Sequence, residues 1–95
     1  MSDILDFLEG IVLDRQAQPT PGSYTHELLT GGLPRMAQKV GEEGVEVVVA
    51  ALAQEDGRLL EESADLLYHL SVLLVARGLS WEEVAAVLRK RHTSP

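Results

Sequence analysis

Two short acidic words in the sequence carry its chemistry. They are Glu42-Glu43-x-x-Glu46 and Glu61-Glu62-x-x-Asp65, nearly the same pattern written nineteen residues apart. Residues three apart share one face of an α-helix, so Glu43 with Glu46 and Glu62 with Asp65 form two carboxylate pairs. If the helices that carry them pack antiparallel, the pairs meet face to face. Four carboxylates gathered in this way repel one another unless they are protonated or joined by cations. An oxygen-only ligand set suits Mg²⁺, with Mn²⁺ as a substitute. Lys39 and Arg35, one and two turns upstream, can hold phosphate oxygens that the metal does not reach. Metal-assisted attack of water on a phosphoanhydride is the reaction that these residue types support.

The plain alternative is that each stripe is the solvated face of an amphipathic helix. A solvated face usually mixes Lys and Glu along its whole length. Here the charges stop at Glu46, and residues 47–54 contain none. That half of the segment calls for burial on nearly every side, with Glu46 at the rim of a core, and the doubled pattern favours a site over two chance surfaces. A di-iron carboxylate bundle is a rival use, but it expects Glu-x-x-His twice, and neither Glu43 nor Glu62 has a histidine three residues on. His69 reads as a hydrogen-bonded packing residue and Tyr68 as a packed aromatic.

The elements that must position these residues are helices. Ser2 can cap a first helix running to about Ala17, with Ile4, Leu5, Leu8, Ile11 and Val12 on one face. Pro19 and Pro21 end it. Residues 18–32 read as a long loop with one short helical piece, and loops of this length are often functional. Leu33 and Pro34 open a second long helix to about Gln54, since a proline in the first turn lacks only an N–H that would be unpaired anyway. Asp56 is expected to cap a third helix running to Arg77, where Gly78 supplies the left-handed stop. Ser80 and Glu83 make a capping box for a last helix from Trp81 to about Lys90, with fraying expected from His92 to Pro95. Residues 45–52 hold four valines and could form a strand, but a single strand would have no partner here. The expected fold is all-α, a bundle of four to five helices.

At about 100° per residue, Arg35, Lys39, Glu42, Glu43 and Glu46 fall in one arc of the second long helix. Arg58, Glu61, Glu62 and Asp65 form a similar arc on the third, extended by Tyr68 and His69. Outside those arcs both helices are mostly apolar. A chain of 95 residues has too little else to cover them, so a homodimer is expected.

The length supports a single domain over residues 1–95. Aromatics make up 4% of it, and the net charge of -7 opposes binding to nucleic acid or to an anionic membrane. There is no cysteine, which excludes thiolate metal sites and disulfide scaffolds. A secretion signal and a long apolar run are both missing, so a cytoplasmic protein is expected.

Beyond these patterns, Ser23-Tyr24-Thr25 with Leu28-Leu29, Arg35, the run from Gln38 through Glu43, and Glu62-Ser63-Ala64-Asp65-Leu66-Leu67-Tyr68-His69 together resemble the phosphoribosyl-ATP pyrophosphatase family. The acidic words alone indicate only the wider all-α nucleotide pyrophosphatase superfamily, with its MazG-like and dimeric dUTPase types. The Ser-Tyr-Thr element and the Lys-Val-Gly-Glu-Glu run narrow the resemblance. It implies hydrolysis of phosphoribosyl-ATP to phosphoribosyl-AMP and pyrophosphate, the second step of histidine biosynthesis, with Mg²⁺. It further implies Glu43, Glu46, Glu62 and Asp65 as metal ligands, and Glu42 as a further ligand or the residue that orients the attacking water. Glu61 matches less firmly. Lys39 and Arg35 would contact phosphates, and the loop of Ser23, Tyr24 and Thr25 would close over the substrate. For Ser23 a helix cap, and for Tyr24 simple packing, are equal alternatives. Gly44 stands where the resemblance leads one to expect Ala, and would permit close approach of a neighbouring helix. The ring-opening enzyme that is fused to this one in some organisms has no counterpart here, so the chain is expected to perform the pyrophosphatase step alone.

Overall fold

The computed structural model describes residues 2–93. Its five helices are α1 (Asp3–Ala17), α2 (Tyr24–Thr30), α3 (Leu33–Ala53), α4 (Asp56–Ala76) and α5 (Trp81–His92). No strand occurs among the described residues, and the valine-rich run lies inside α3. None of these helices is long and apolar enough to cross a membrane.

Most boundaries follow from local chemistry. The Ser2 hydroxyl accepts from the Leu5 amide at 3.3 Å and caps α1. Gly32, at φ +94°, precedes α3, whose first turn holds Pro34. At the end of α4 the Gly78 N–H donates to the Val75 carbonyl at 2.9 Å and Leu79 N–H to the Leu74 carbonyl at 2.8 Å. This is the Schellman pattern, and Gly78 takes the positive φ (+72°) that it needs. The capping box of Ser80 and Glu83 is formed in both directions. Two expectations shift. Glu55, not Asp56, is the N-cap of α4, and Asp56 becomes the first helical residue, where a carboxylate is favoured by the helix dipole. The last helix also continues through His92 and is capped at Thr93, so fraying does not begin at His92; Ser94 and Pro95 lie outside the described residues.

Helix α4 is the centre of the packing. It lies along α3 for most of its length and also meets α1 and α2. Val12, Leu28, Met36, Val72 and Val75 form the core, with Leu29, Tyr68, Leu73 and Ala76 packed around it. Trp81 anchors α5: its indole N–H donates to the Ser71 hydroxyl at 2.8 Å, and its backbone N–H donates to a Glu9 carboxylate oxygen at 2.7 Å. The Ser71 hydroxyl in turn donates to the Leu67 carbonyl at 2.8 Å. On α1, Leu5 and Val12 are buried as the pattern predicts, whereas Ile4 is exposed.

The far half of the α3–α4 pair is not covered by the other described residues. Ala37, Gly41, Val45, Val48 and Leu52 follow one another at three- and four-residue steps on α3 and are all exposed, Val45 at 62%, Val48 at 55% and Leu52 at 83%. Leu60, Ala64 and Leu67 make the matching stripe on α4. The expectation that residues 47–54 are buried on nearly every side is therefore not met within one chain, where only Ala50 of that run is buried. Glu46, expected at a core rim, is exposed. Gly44 admits no neighbouring helix within the chain, because a Cβ there would meet nothing within 4 Å.

Candidate active site

Packing of α3 on α4 sets the acidic residues against one another. Carboxylate oxygens of Glu43, Glu62 and Asp65 lie within 4.8 Å of one another. Glu43 and Glu62 are buried and Asp65 is exposed at the open side. Three of the four expected carboxylates are thus compactly grouped, and Glu46, one turn beyond Glu43 and exposed, lies within hydrogen-bonding reach of Glu62. It is still close enough to act on the group. Burial, and then the charge of Glu46, push the Glu62 carboxyl above its ordinary value, and Asp65 adds to the push against the opposing pull of Arg58.

Two cations of the chain itself balance these acids. Arg58 reaches Glu61 at 2.7 Å and Glu62 at 2.5 Å, and Lys39 reaches Glu42 at 3.4 Å and Glu43 at 3.6 Å. A buried carboxylate without a partner is costly, so each of the two buried acids is supplied with one from its own helix, four residues upstream. Burial acts to lower the Lys39 pKa. It is outweighed by the field of Tyr24, the hydrogen bond with Glu42 and the charges of Glu42 and Glu43, so the ammonium is held above its ordinary value. The Gln38 amide, donating to Glu42 at 3.2 Å, holds that exposed carboxylate below its ordinary range, with help from Lys39 and Arg35. Arg35 itself is exposed, and Gly31 leaves room for its stem, since a Cβ there would lie 3.0 Å from the Arg35 Cδ.

The short helical piece expected within residues 18–32 is α2, and the Ser-Tyr-Thr element forms its start instead of an open loop. Ser23 is the N-cap of α2, its hydroxyl accepting from the His26 amide at 3.3 Å. Tyr24 and Thr25 form the first turn and dock on α4. The Tyr24 hydroxyl lies 2.8 Å from His69 Nε2, Thr25 Oγ1 is hydrogen-bonded to the Tyr68 hydroxyl, and Thr25 is buried. The Tyr24 and Tyr68 rings stack with centroids 6.1 Å apart, and both meet His69 edge-on. Burial pushes the Tyr68 hydroxyl above its usual pKa. His69 is a hydrogen-bonded packing residue, as its isolation in the sequence indicated. No sequence pattern signals this docking, whereas the pairing of Arg58 with Glu62 is signalled by their four-residue spacing within one arc.

The donor set fits a hard divalent cation. All three facing groups offer oxygen, two are buried, and the Glu62 carboxyl is pushed up by burial and then by the charge of Glu46. With one oxygen from each group all within 4.8 Å of one another, these three residues would be able to share one such ion.

The profile of the family described as Phosphoribosyl-ATP pyrophosphohydrolase matches residues 5–92. The chain belongs to this family. A relative named "Phosphoribosyl-ATP pyrophosphatase" from Pyrobaculum arsenaticum is 52% identical over 89 residues, covering 94% of this chain and 95% of the relative. The "Histidine biosynthesis bifunctional protein HisIE" of Xanthomonas axonopodis pv. citri is 53% identical over 88 residues, which are 93% of this chain but 43% of that protein. The chain thus spans less than half the length of the bifunctional relatives that it matches. The family match includes α2 to α5, all but the first two residues of α1, and every acidic residue of the site.

Proposed function

We propose that this chain hydrolyses phosphoribosyl-ATP to phosphoribosyl-AMP and pyrophosphate, the second step of histidine biosynthesis, in a Mg²⁺-dependent reaction in the cytoplasm. The observation that carries this reading is the meeting of Glu43, Glu62 and Asp65 across α3 and α4 in a chain of this family. Glu43, Glu46, Glu62 and Asp65 would hold the metal, Glu46 turning inward from its exposed position. When bound, Mg²⁺ would neutralise charge on the phosphoanhydride oxygens and polarise the site for attack by water. Glu42, exposed and held below its ordinary pKa, stays ionised and would orient that water or serve as a further ligand. Lys39 remains protonated and, with Arg35, offers charge-assisted hydrogen bonds to phosphate. Ser23, Tyr24 and Thr25 form the edge of the substrate site on the α2 side, where a second ribose and its phosphate can be recognised.

The active form in this reading is a homodimer. The chain presents 6280 Å² of surface, whereas a monomer of its mass presents about 5400 Å². The excess is about 900 Å², close to the ~800 Å² that one partner contributes to a standard interface. The radius of gyration, 14.5 Å, likewise exceeds the ~12 Å of a compact domain of this length. The exposed stripes of α3 and α4 are the surface that a two-fold partner would cover, and Glu46 and Arg58 stand beside them. The test of the chemistry is pyrophosphate release from phosphoribosyl-ATP with and without Mg²⁺, by the wild type and by Glu62→Gln. Release that is independent of both the metal and Glu62 would overturn the assignment.

A further inference from the structure

His69 is 6% exposed and both of its ring nitrogens are engaged. Nδ1 lies 2.7 Å from the Asp65 carbonyl oxygen, and Nε2 lies 2.8 Å from the Tyr24 hydroxyl. A carbonyl only accepts, so Nδ1 carries the proton. In the neutral ring Nε2 is then an acceptor, and the Tyr24 hydroxyl donates to it. The result is a strap from α2 to the turn of α4 that bears Asp65, spanning 45 residues of sequence. The pair of Thr25 with Tyr68 lies one residue along on each helix and closes the same junction. Tyr24 thus commits its hydroxyl to the interior of the protein, although its side chain is 43% exposed.

We infer that His69 is a positioning residue, whose imidazole fixes α2 against the Asp65 turn of α4, and that the Tyr24 hydroxyl acts through His69 rather than by touching the substrate. The catalytic part of this inference rests on the proposed function; the positioning part does not. A carboxylate group of three within 4.8 Å tolerates little displacement, since errors of about 1 Å in a reacting array can cost about a hundredfold in rate. Asp65 is the exposed member of the three and lacks the cationic partner that Glu43 and Glu62 have among the described side chains. Its placement therefore depends on its own backbone turn, which is where His69 holds.

The test is a double-mutant cycle with Tyr24→Phe, which removes one hydroxyl and keeps the ring, and His69→Phe, which removes the acceptor. Each single variant is expected to lower kcat/KM for phosphoribosyl-ATP about tenfold, mostly in kcat, and the double variant to be no worse than the poorer single. His69→Gln, which restores an acceptor, should recover part of the loss. If the Tyr24 hydroxyl touched substrate directly, the losses would multiply, and that result overturns the inference. Two readouts need no turnover. Nitrogen NMR of the metal-free wild type should show His69 protonated at Nδ1 and bare at Nε2, and calorimetry should show Mg²⁺ binding weakened about threefold in each single variant, again without multiplication in the double. A proton on Nε2 of the neutral ring, or variants that melt lower yet bind Mg²⁺ as the wild type does, refute a positioning role. These two arms decide even if phosphoribosyl-ATP proves not to be the substrate.

Discussion

Truncating the exposed leucines of the α3–α4 pair should dissolve the dimer and leave the fold standing. Leu52 is 83% exposed and Leu60 71% exposed, so nearly all of their transfer free energy is still to be gained from a partner. Leu→Ala removes three carbons and forfeits about 2 kcal/mol of burial per site. A two-fold interface holds each site twice, so one substitution costs about 4 kcal/mol and raises the dissociation constant about a thousandfold. Within one chain the cost is small, because neither side chain belongs to the core and Ala is the better helix former. The assay is sedimentation velocity across nanomolar to micromolar concentrations, with circular dichroism to verify the helices. Leu52→Ala and Leu60→Ala should each move the midpoint of association, and the double variant should be monomeric at micromolar concentration. A wild type that is a stable, fully active monomer at micromolar concentration refutes the reasoning, as does an unmoved midpoint in the double variant.

Further outcomes follow from the site and the core. Glu46→Gln and Asp65→Asn should each weaken Mg²⁺ binding and remove most activity while the helices persist, whereas wild-type turnover of both at low Mg²⁺ would disprove the ligand set. In metal-free protein the raised Glu62 pKa means that the folded state holds its proton more tightly than the unfolded state does. That stabilisation is present below the ordinary carboxylate pKa and is lost as pH rises through the raised one. Urea midpoints in chelator should accordingly fall across that interval, and Glu62→Gln should flatten the fall. Val72→Ala, in the centre of the core, should cost about 2 kcal/mol in urea unfolding with little effect on Mg²⁺ affinity.

How much of this was legible in the sequence depends on how local each signal is. The caps at Ser2 and Ser80, the proline near the start of α3 and the Gly78 stop could be read because each works within about four residues of itself. The choice between Glu55 and Asp56 could not, since two adjacent acids both suit the start of a helix and neither makes a side-chain cap. The acidic pairs were visible from their three-residue spacing, but the burial of Glu43 and Glu62 against the exposure of Glu46 depends on how α3 rolls on α4. The contact of Tyr24 with His69 joins residues 45 apart, and no periodicity encodes that. The uncharged run at 47–54 calls for burial in the sequence; its exposure in the single chain follows because one face of α3 meets none of the other described residues.

The most direct test of the central claim is a competition in which phosphoribosyl-ATP and ATP are offered together to the Mg²⁺-loaded protein, with products resolved for each. Both present the same phosphoanhydride, but only phosphoribosyl-ATP carries the second ribose and its phosphate, whose binding energy can position the reacting group. A preference of at least about a hundredfold in kcat/KM is expected, roughly 2.7 kcal/mol, the scale of one or two charge-assisted hydrogen bonds. Equal efficiency on the two substrates would contradict it, leaving a general nucleotide pyrophosphatase with the same acidic site.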